Sequence, residues 1–489
     1  MTYRHTHDHM EYGFVRGLGV GSAVSIVAGA LIGSGIFIVS QDIAATVGAP
    51  GWLLAVWVAT MLITVMGTLC YGELSAMFPR AGGQYVFLKE AFGPFWGFLY
   101  GWTLFVVIQA GTIAALGVAF GKYLGILVPW VSASNWLFKV ATFQLGASTI
   151  TMGLNTAQLA GIIAILLLTL SNSQGLSAGK WIQNIFTSGK ALALVAVIVV
   201  GFLFAQPDAA IRQPGLFDAK DAAGNALGGW SLFVAFWSAM VGSMFAADAW
   251  NNVTFVASEV RNPQRNVPLA LVAGAGGVTL LYVLANIGYL NVLSFQGIAA
   301  APDQRVAAAM VGKLVPWGAG AIAAVVVVST FGCLNGIILA GPRLYFAMAK
   351  DGLFFSAAGR LSEKGRVPVA GLWLQAAWAC LLTLSGTYSN LLDYVIFACL
   401  LFYVLTVAGL FVLRRRFPEH PRPYRVIAYP VLPAVYIALT AVMMLVLLLY
   451  KPAYTWPGLG LVALGVPVYL LWKRGWAGRT SSGPDNCPH

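Results

Sequence analysis

The chain has 489 residues, of which 59% are hydrophobic and only 9% are charged, with a mean hydropathy of +0.80. A soluble domain carries about 25% charged residues, so the composition sets aside soluble enzymes and soluble binding modules. The net charge of +12 needs an origin other than nucleic acid, and the absence of a GxxxxGK[ST] segment sets aside ATP as the energy source.

A membrane-spanning helix needs roughly 20 apolar residues. The sequence predicts twelve such spans, running approximately over 18–45, 52–78, 95–127, 154–172, 181–205, 230–258, 267–294, 316–349, 369–386, 390–413, 429–450 and 457–473. The first contains Gly33-Ser34-Gly35 at mid-depth. Two glycines make unwinding easy there. An unwound break would offer free carbonyls to an ammonium and amide N–H groups to a carboxylate, the two halves of a zwitterion. The same triplet also suits a small-residue packing face, and the segment alone does not choose.

In the second span Glu73 lies about seven residues before Arg80, near one membrane surface. It is expected to snorkel or to pair there, with a gating role as the alternative. In the fifth span Lys190 follows Lys180 by ten residues, about 15 Å deeper. It is expected to point into the bundle, as a tether between helices, as a fixed cation in place of a coupling sodium ion, or as a proton carrier. The sixth span reads Phe245-Ala-Ala-Asp248-Ala-Trp250-Asn251. A carboxylate at that depth is costly and usually functional. Asp248 is left open between capping a second half-helix, meeting a substrate amine and binding a proton. Phe245, Trp250 and Asn251 flank it as gate or wall, or as ordinary packing. The turn from Arg261 to Pro268 reads as a basic anchor between spans.

Breaks in spans one and six lie five spans apart, so the second copy enters from the opposite face. This is the pattern of an inverted repeat with a midplane site. The expected organisation is a tail over 1–16, a first repeat over 17–205, an outer loop over 206–229 and a second repeat over 230–413. A basic loop over 414–428, two further spans within 429–473 and a tail over 474–489 follow. With both termini inside, inner segments hold 20 of the 28 Lys and Arg residues and outer segments 7. That is the positive-inside bias, and it accounts for the net charge without a nucleic-acid partner. Both termini are therefore expected to be cytoplasmic. The five cysteines, Cys70, Cys333, Cys380, Cys399 and Cys487, form no pair in a polar loop, so no structural disulfide is expected. No His/Cys cluster has metal spacing, and no cofactor is expected. An intramembrane enzyme would need paired catalytic groups at mid-depth, and no His lies in a span.

Four segments together resemble the amino acid–polyamine–organocation superfamily, and within it a bacterial-type version of the L-type amino acid transporter branch. They are Gly29 to Phe37, Met244 to Asn251 with Glu259 to Pro268, Ser329 to Gly336, and Arg414 to Pro423. The resemblance implies an all-α polytopic protein with a LeuT-type fold of five plus five helices, helices 1 and 6 being discontinuous. It implies a sodium-independent exchanger of neutral L-amino acids that works by alternating access. A proton-coupled symporter and a carrier of cationic amino acids or polyamines are the alternatives. The implied substrate site takes in Leu31, Ile32, Gly33, Ser34, Gly35, Phe245, Ala246, Asp248 and Asn251. The Ser34 and Gly35 amides would hold the carboxylate. The carbonyls of Leu31, Phe245 and Asp248 would hold the amine, and Phe245 would be the proximal gate. Lys190 would bridge spans one and eight, with Ser329, Thr330 or Cys333 as its partner. Gly111 in the third span and Phe397 in the tenth are expected to form walls. Animal members often carry an outer-loop cysteine that bonds a glycoprotein partner. Residues 121–153 contain no cysteine, so no disulfide-linked heavy chain and a cell-membrane location are expected.

Overall fold

A computed structural model describes residues 16–145, 148–221, 223–363, 365–384 and 388–480. Among them eleven helices are long and apolar enough to cross a membrane. The first eight spans are Val20–Ile38, Pro50–Met77, Pro94–Leu127, Thr156–Ser173, Phe186–Leu203, Gly229–Ala246, Pro263–Val292 and Gly318–Lys350. Val395–Arg416, Val431–Tyr450 and Thr455–Lys473 are the tenth to twelfth. The expected ninth span is a shorter apolar helix, Val369–Thr383. Its 15 residues rise only about 22 Å, less than the roughly 30 Å hydrocarbon core. The chain is thus an all-α polytopic membrane protein.

Local chemistry sets several span ends. Pro50, Pro94 and Pro263 each stand in the first turn of a helix, where a missing N–H costs nothing. Gly48 ends the segment after span one with φ of 67°, a left-handed cap that glycine adopts without strain. In the third span the α-helix Pro94–Thr103 passes through a π-helical turn, Leu104–Gln109, before Ala110–Leu127.

Spans one, two, six and seven pack as one bundle, and spans three, four, eight and nine as a scaffold beside it. A short helix joins spans two and three (Gln84–Phe92), and another joins spans seven and eight (Val306–Leu314). These connections also lie five spans apart, as an inverted five-plus-five arrangement requires. One feature departs from the all-helical expectation. The loop between spans three and four is an antiparallel hairpin of β1, Trp136–Leu145, and β2, Ser148–Asn155. Its sequence is rich in the β-branched and aromatic residues that favour strands.

Candidate functional site

The first span stops at Leu31 and resumes at Gly35. A helix leaves its last carbonyls without intrahelical partners, and in a membrane each must find a donor. Here neighbouring helices supply them. Lys190 Nζ donates to the Gly29 carbonyl. Cys333 Sγ donates to Ala30 at 3.0 Å, the Tyr282 hydroxyl to Leu31 at 2.7 Å and Ser329 Oγ to Ile32 at 3.3 Å. Beyond the break the Tyr289 hydroxyl reaches the Ile36 carbonyl at 3.3 Å, and the Tyr123 hydroxyl reaches Phe37 at 3.2 Å. Spans three, five, seven and eight therefore all close on the interrupted first span.

The sixth span ends as a regular helix at Ala246 and resumes at Asn252. Ala249 within the gap has φ of 65°, a conformation that costs a residue with a Cβ and gathers at functional sites. The two breaks touch. A Cβ built on Gly35 would lie 2.7 Å from the Ala246 Cβ and 2.9 Å from its Cα, so only glycine fits there. Tyr282 links them as well, its oxygen lying 3.3 Å from the Ala246 carbonyl.

Two small cavities adjoin this contact. The first, about 20 Å³, is lined in part by Leu31, Gly33, Ser34, Gly35, Phe245 and Asp248. The second, about 10 Å³, lies across Thr112, Asp248, Ala249 and Ile337, which line both. Each has room for about one water molecule, so the site as it stands is closed.

The expected site residues fall into three groups. Leu31, Gly33, Ser34, Gly35, Phe245, Ala246 and Asp248 line the first cavity, and Asn251 lines the second. Ile32 lines neither, its carbonyl being taken by Ser329. Gly111 also lines neither, because it packs against Val395, whose Cγ2 would be 2.7 Å from an added Cβ. Thr112, the next residue, faces both cavities. Phe397 is buried away from them, and the wall of the tenth span is made by Cys399 and Tyr403.

The contacts of Lys190, Asp248, Trp250 and Glu73 are specific. The acceptor of Lys190 is the Gly29 carbonyl, while Ser329 and Cys333 bond adjacent carbonyls of the same break, and the buried Thr330 hydroxyl has no hydrogen-bond partner. Asp248 does not occupy the cap of the resumed sixth span, a position held by Asn251. Its carboxylate accepts the Tyr403 hydroxyl at 2.5 Å and the Cys399 thiol at 3.5 Å. Trp250 packs edge-on to Tyr71 with centroids 4.8 Å apart and tilts over Tyr403 at 5.3 Å, and it lines neither cavity. Glu73, fully buried, is clamped by Arg414 at 2.8 and 2.6 Å and accepts the Val426 N–H at 2.7 Å. Arg422 stands 3.6 Å from it. Arg80 instead lies 3.9 Å from Glu90.

Tyr282, Tyr403, Cys399 and Thr112 are the site residues that the sequence does not single out. Each sits in an apolar helix, where a hydroxyl or thiol looks like packing. The second buried ion pair, Arg343 with Glu259 at 3.0 Å, is equally silent there.

Residues 18–464 match the family described as amino acid permease. Large neutral amino acids transporter small subunit 2 of Mus musculus is 32% identical over 462 residues, covering 93% of this chain and 80% of its own. The b(0,+)-type amino acid transporter 1 of Mus musculus is 28% identical, covering 95% and 90%. The serine/threonine exchanger SteT of Bacillus subtilis (strain 168) is 29% identical, covering 89% and 91%.

Proposed function

The chain belongs to the amino acid permease family, and from that premise we propose that it exchanges neutral L-amino acids across the cell membrane, without sodium, by alternating access. The observation that carries this reading is the touching pair of helix breaks, between Leu31 and Gly35 and between Ala246 and Asn252, with the Lys190 ammonium on the Gly29 carbonyl. A zwitterion meets amide N–H groups and carbonyls there, and a fixed cation stands where an ion would otherwise serve. In this reading the Ser34 and Gly35 amides hold the substrate carboxylate, and the carbonyls of Leu31, Phe245 and Asp248 hold its amine. Tyr282 gives up the Leu31 carbonyl as the amine arrives. Phe245 is the near gate. The chain acts as a transporter and not as an enzyme.

Relatives named for large neutral amino acids and for serine/threonine exchange support the substrate class. The cytoplasmic placement of both termini rests on the excess of Lys and Arg on one side. The lack of cysteine in residues 121–153 favours a carrier without a covalently attached heavy chain.

The test is uptake of labelled amino acids into proteoliposomes that are empty or preloaded, with no sodium and no pH gradient. Uptake into preloaded vesicles alone is the expected result. Uptake into empty vesicles that requires a proton gradient would favour the symport reading, for which the buried Asp248 carboxylate is the specific candidate. Competition by lysine or putrescine would move the substrate to the cationic class.

A further inference from the structure

A third cavity lies apart from the helix breaks. It measures about 370 Å³, against about 20 and 10 Å³ beside the breaks, and its size is that of a ligand pocket. Span three, the end of span eight with the loop after it, span nine and span twelve enclose it. Its walls present no polar surface. Even the three indole N–H groups among the lining residues are engaged by backbone carbonyls. Trp102 donates to Leu461 at 3.0 Å, Trp378 to Val106 at 2.9 Å and Trp472 to Gly352 at 2.9 Å. Water inside would find no polar partner, and neither would a zwitterion. The space suits hydrocarbon.

Its place and length fit one leaflet of a bilayer. Met348 and Trp472, both lining residues, stand at the ends of spans eight and twelve, and Phe98 stands near the start of span three. These span ends share one membrane face, the one that carries Glu73 and Glu259. From Trp472 back to Leu461 the chain rises about 16 Å, close to half of a roughly 30 Å hydrocarbon core. The rim at that face is cationic. Lys350 and Lys473, both exposed, lie two residues and one residue beyond Met348 and Trp472. Asp351, the only carboxylate between residues 346 and 360, is held by Lys89 and by the Tyr85 hydroxyl, each at 2.6 Å.

We propose that this groove binds one acyl chain of an anionic phospholipid from that leaflet, with Lys350 and Lys473 holding its phosphate headgroup. The bound chain lies against Phe105 and Val106 of the π-helical turn in span three. Leu104 and Ile108 of the same turn line a cavity beside the breaks, so the lipid braces the scaffold directly behind the site.

The test titrates the delipidated full chain in detergent with phosphatidylglycerol or phosphatidylcholine of identical acyl chains, read by native mass spectrometry and thermal unfolding. One phosphatidylglycerol per chain is expected, bound at least about tenfold more tightly than phosphatidylcholine and raising the unfolding midpoint. Val468→Phe fills the groove from a half-buried position on its wall and should abolish that binding. Lys350→Gln and Lys473→Gln alter only exposed side chains. Each should weaken phosphatidylglycerol about fivefold, the worth of one cation near an anionic surface, and leave phosphatidylcholine unchanged. These two variants decide the matter if Val468→Phe does not fold. Binding of neither lipid, equal binding of both, or phosphatidylglycerol binding that none of the variants weakens would overturn the proposal. Displacement by oleate at equal concentration would overturn it in favour of a free fatty acid. A lipid-free dimer that dissociates in Val468→Phe would overturn it in favour of a second copy of this chain on the groove.

Discussion

At the scale of single residues, the site is a problem of carbonyl groups solved by side chains. Lys190 is one of four donors that satisfy the carbonyls from Gly29 to Ile32. Lys190→Met should leave the Gly29 carbonyl unpaired in a dry interior, at about 1–3 kcal/mol. The expected outcome is a clearly lower thermal unfolding midpoint in detergent, larger than that of Ser329→Ala at its longer 3.3 Å bond. Tyr282→Phe removes one hydroxyl that touches both breaks, and about 1 kcal/mol of stability should go with it. The depth of Lys190 and Asp248 is legible in the sequence because charge is rare within apolar runs. Their partners are not, because the acceptor that an ammonium meets depends on how span five is rotated against span one. For the same reason nothing in the sequence separates Tyr282 and Tyr403 from tyrosines that only pack.

At the scale of elements, the two interrupted spans are legible, since glycines and polar residues rarely cluster in a long apolar helix unless its backbone is broken there. The contact between the breaks is not, although it accounts for the middle of the motif. Gly35→Ala should force span six away from span one and lower exchange more than tenfold, with the protein still present in the membrane. Gly33→Ala, whose added methyl would meet the Cys333 sulfur at 3.1 Å, should be milder. Uptake per molecule of reconstituted protein measures both, and the reverse order would contradict the packing. Ala249 offers the opposite manipulation. Its φ of 65° carries a strain of about 1–2 kcal/mol for a residue with a Cβ. Ala249→Gly should therefore raise the unfolding midpoint with exchange retained, part of the gain being lost to the freer unfolded chain. Two elements are hidden in the sequence for plain reasons. The ninth span reads as running on to residue 386 because its apolar composition does not mark Thr383 as an end. The hairpin Trp136–Asn155 is masked because strand alternation over so short a loop is a weak signal beside the apolar helices on either side.

At the scale of the whole molecule, two buried carboxylates tie separately packed parts together at one end. Glu73 of span two is held by Arg414 at the end of span ten and by Arg422 and Val426 in the following loop. Glu259, just after the sixth span, is held by Arg343 of span eight. Any opening toward that side has to separate one or both pairs. Breaking such a pair by removing one partner costs about 3–5 kcal/mol when it is buried, with the lower end apt for Arg414, whose side chain is 21% exposed. Glu73→Gln should thus favour opening on the basic side. Cys70, one turn away and fully buried, is a built-in reporter. With the other four cysteines replaced, its labelling by a membrane-impermeant thiol reagent from that side should rise in Glu73→Gln, and unchanged labelling would leave the clamp a purely structural tie.

The chain enters the membrane beside this cluster. Gly17 and Leu18 donate their N–H groups to the Glu259 carbonyl at 3.1 and 3.0 Å, and Arg261 returns a bond to Leu18 at 2.8 Å. The entry strand is thereby stitched to the stretch that leaves span six. A fluorescent or spin probe fixed at Arg16 would ride on the moving bundle from outside the membrane, so each transport cycle becomes readable as a change of distance to a second probe on the scaffold.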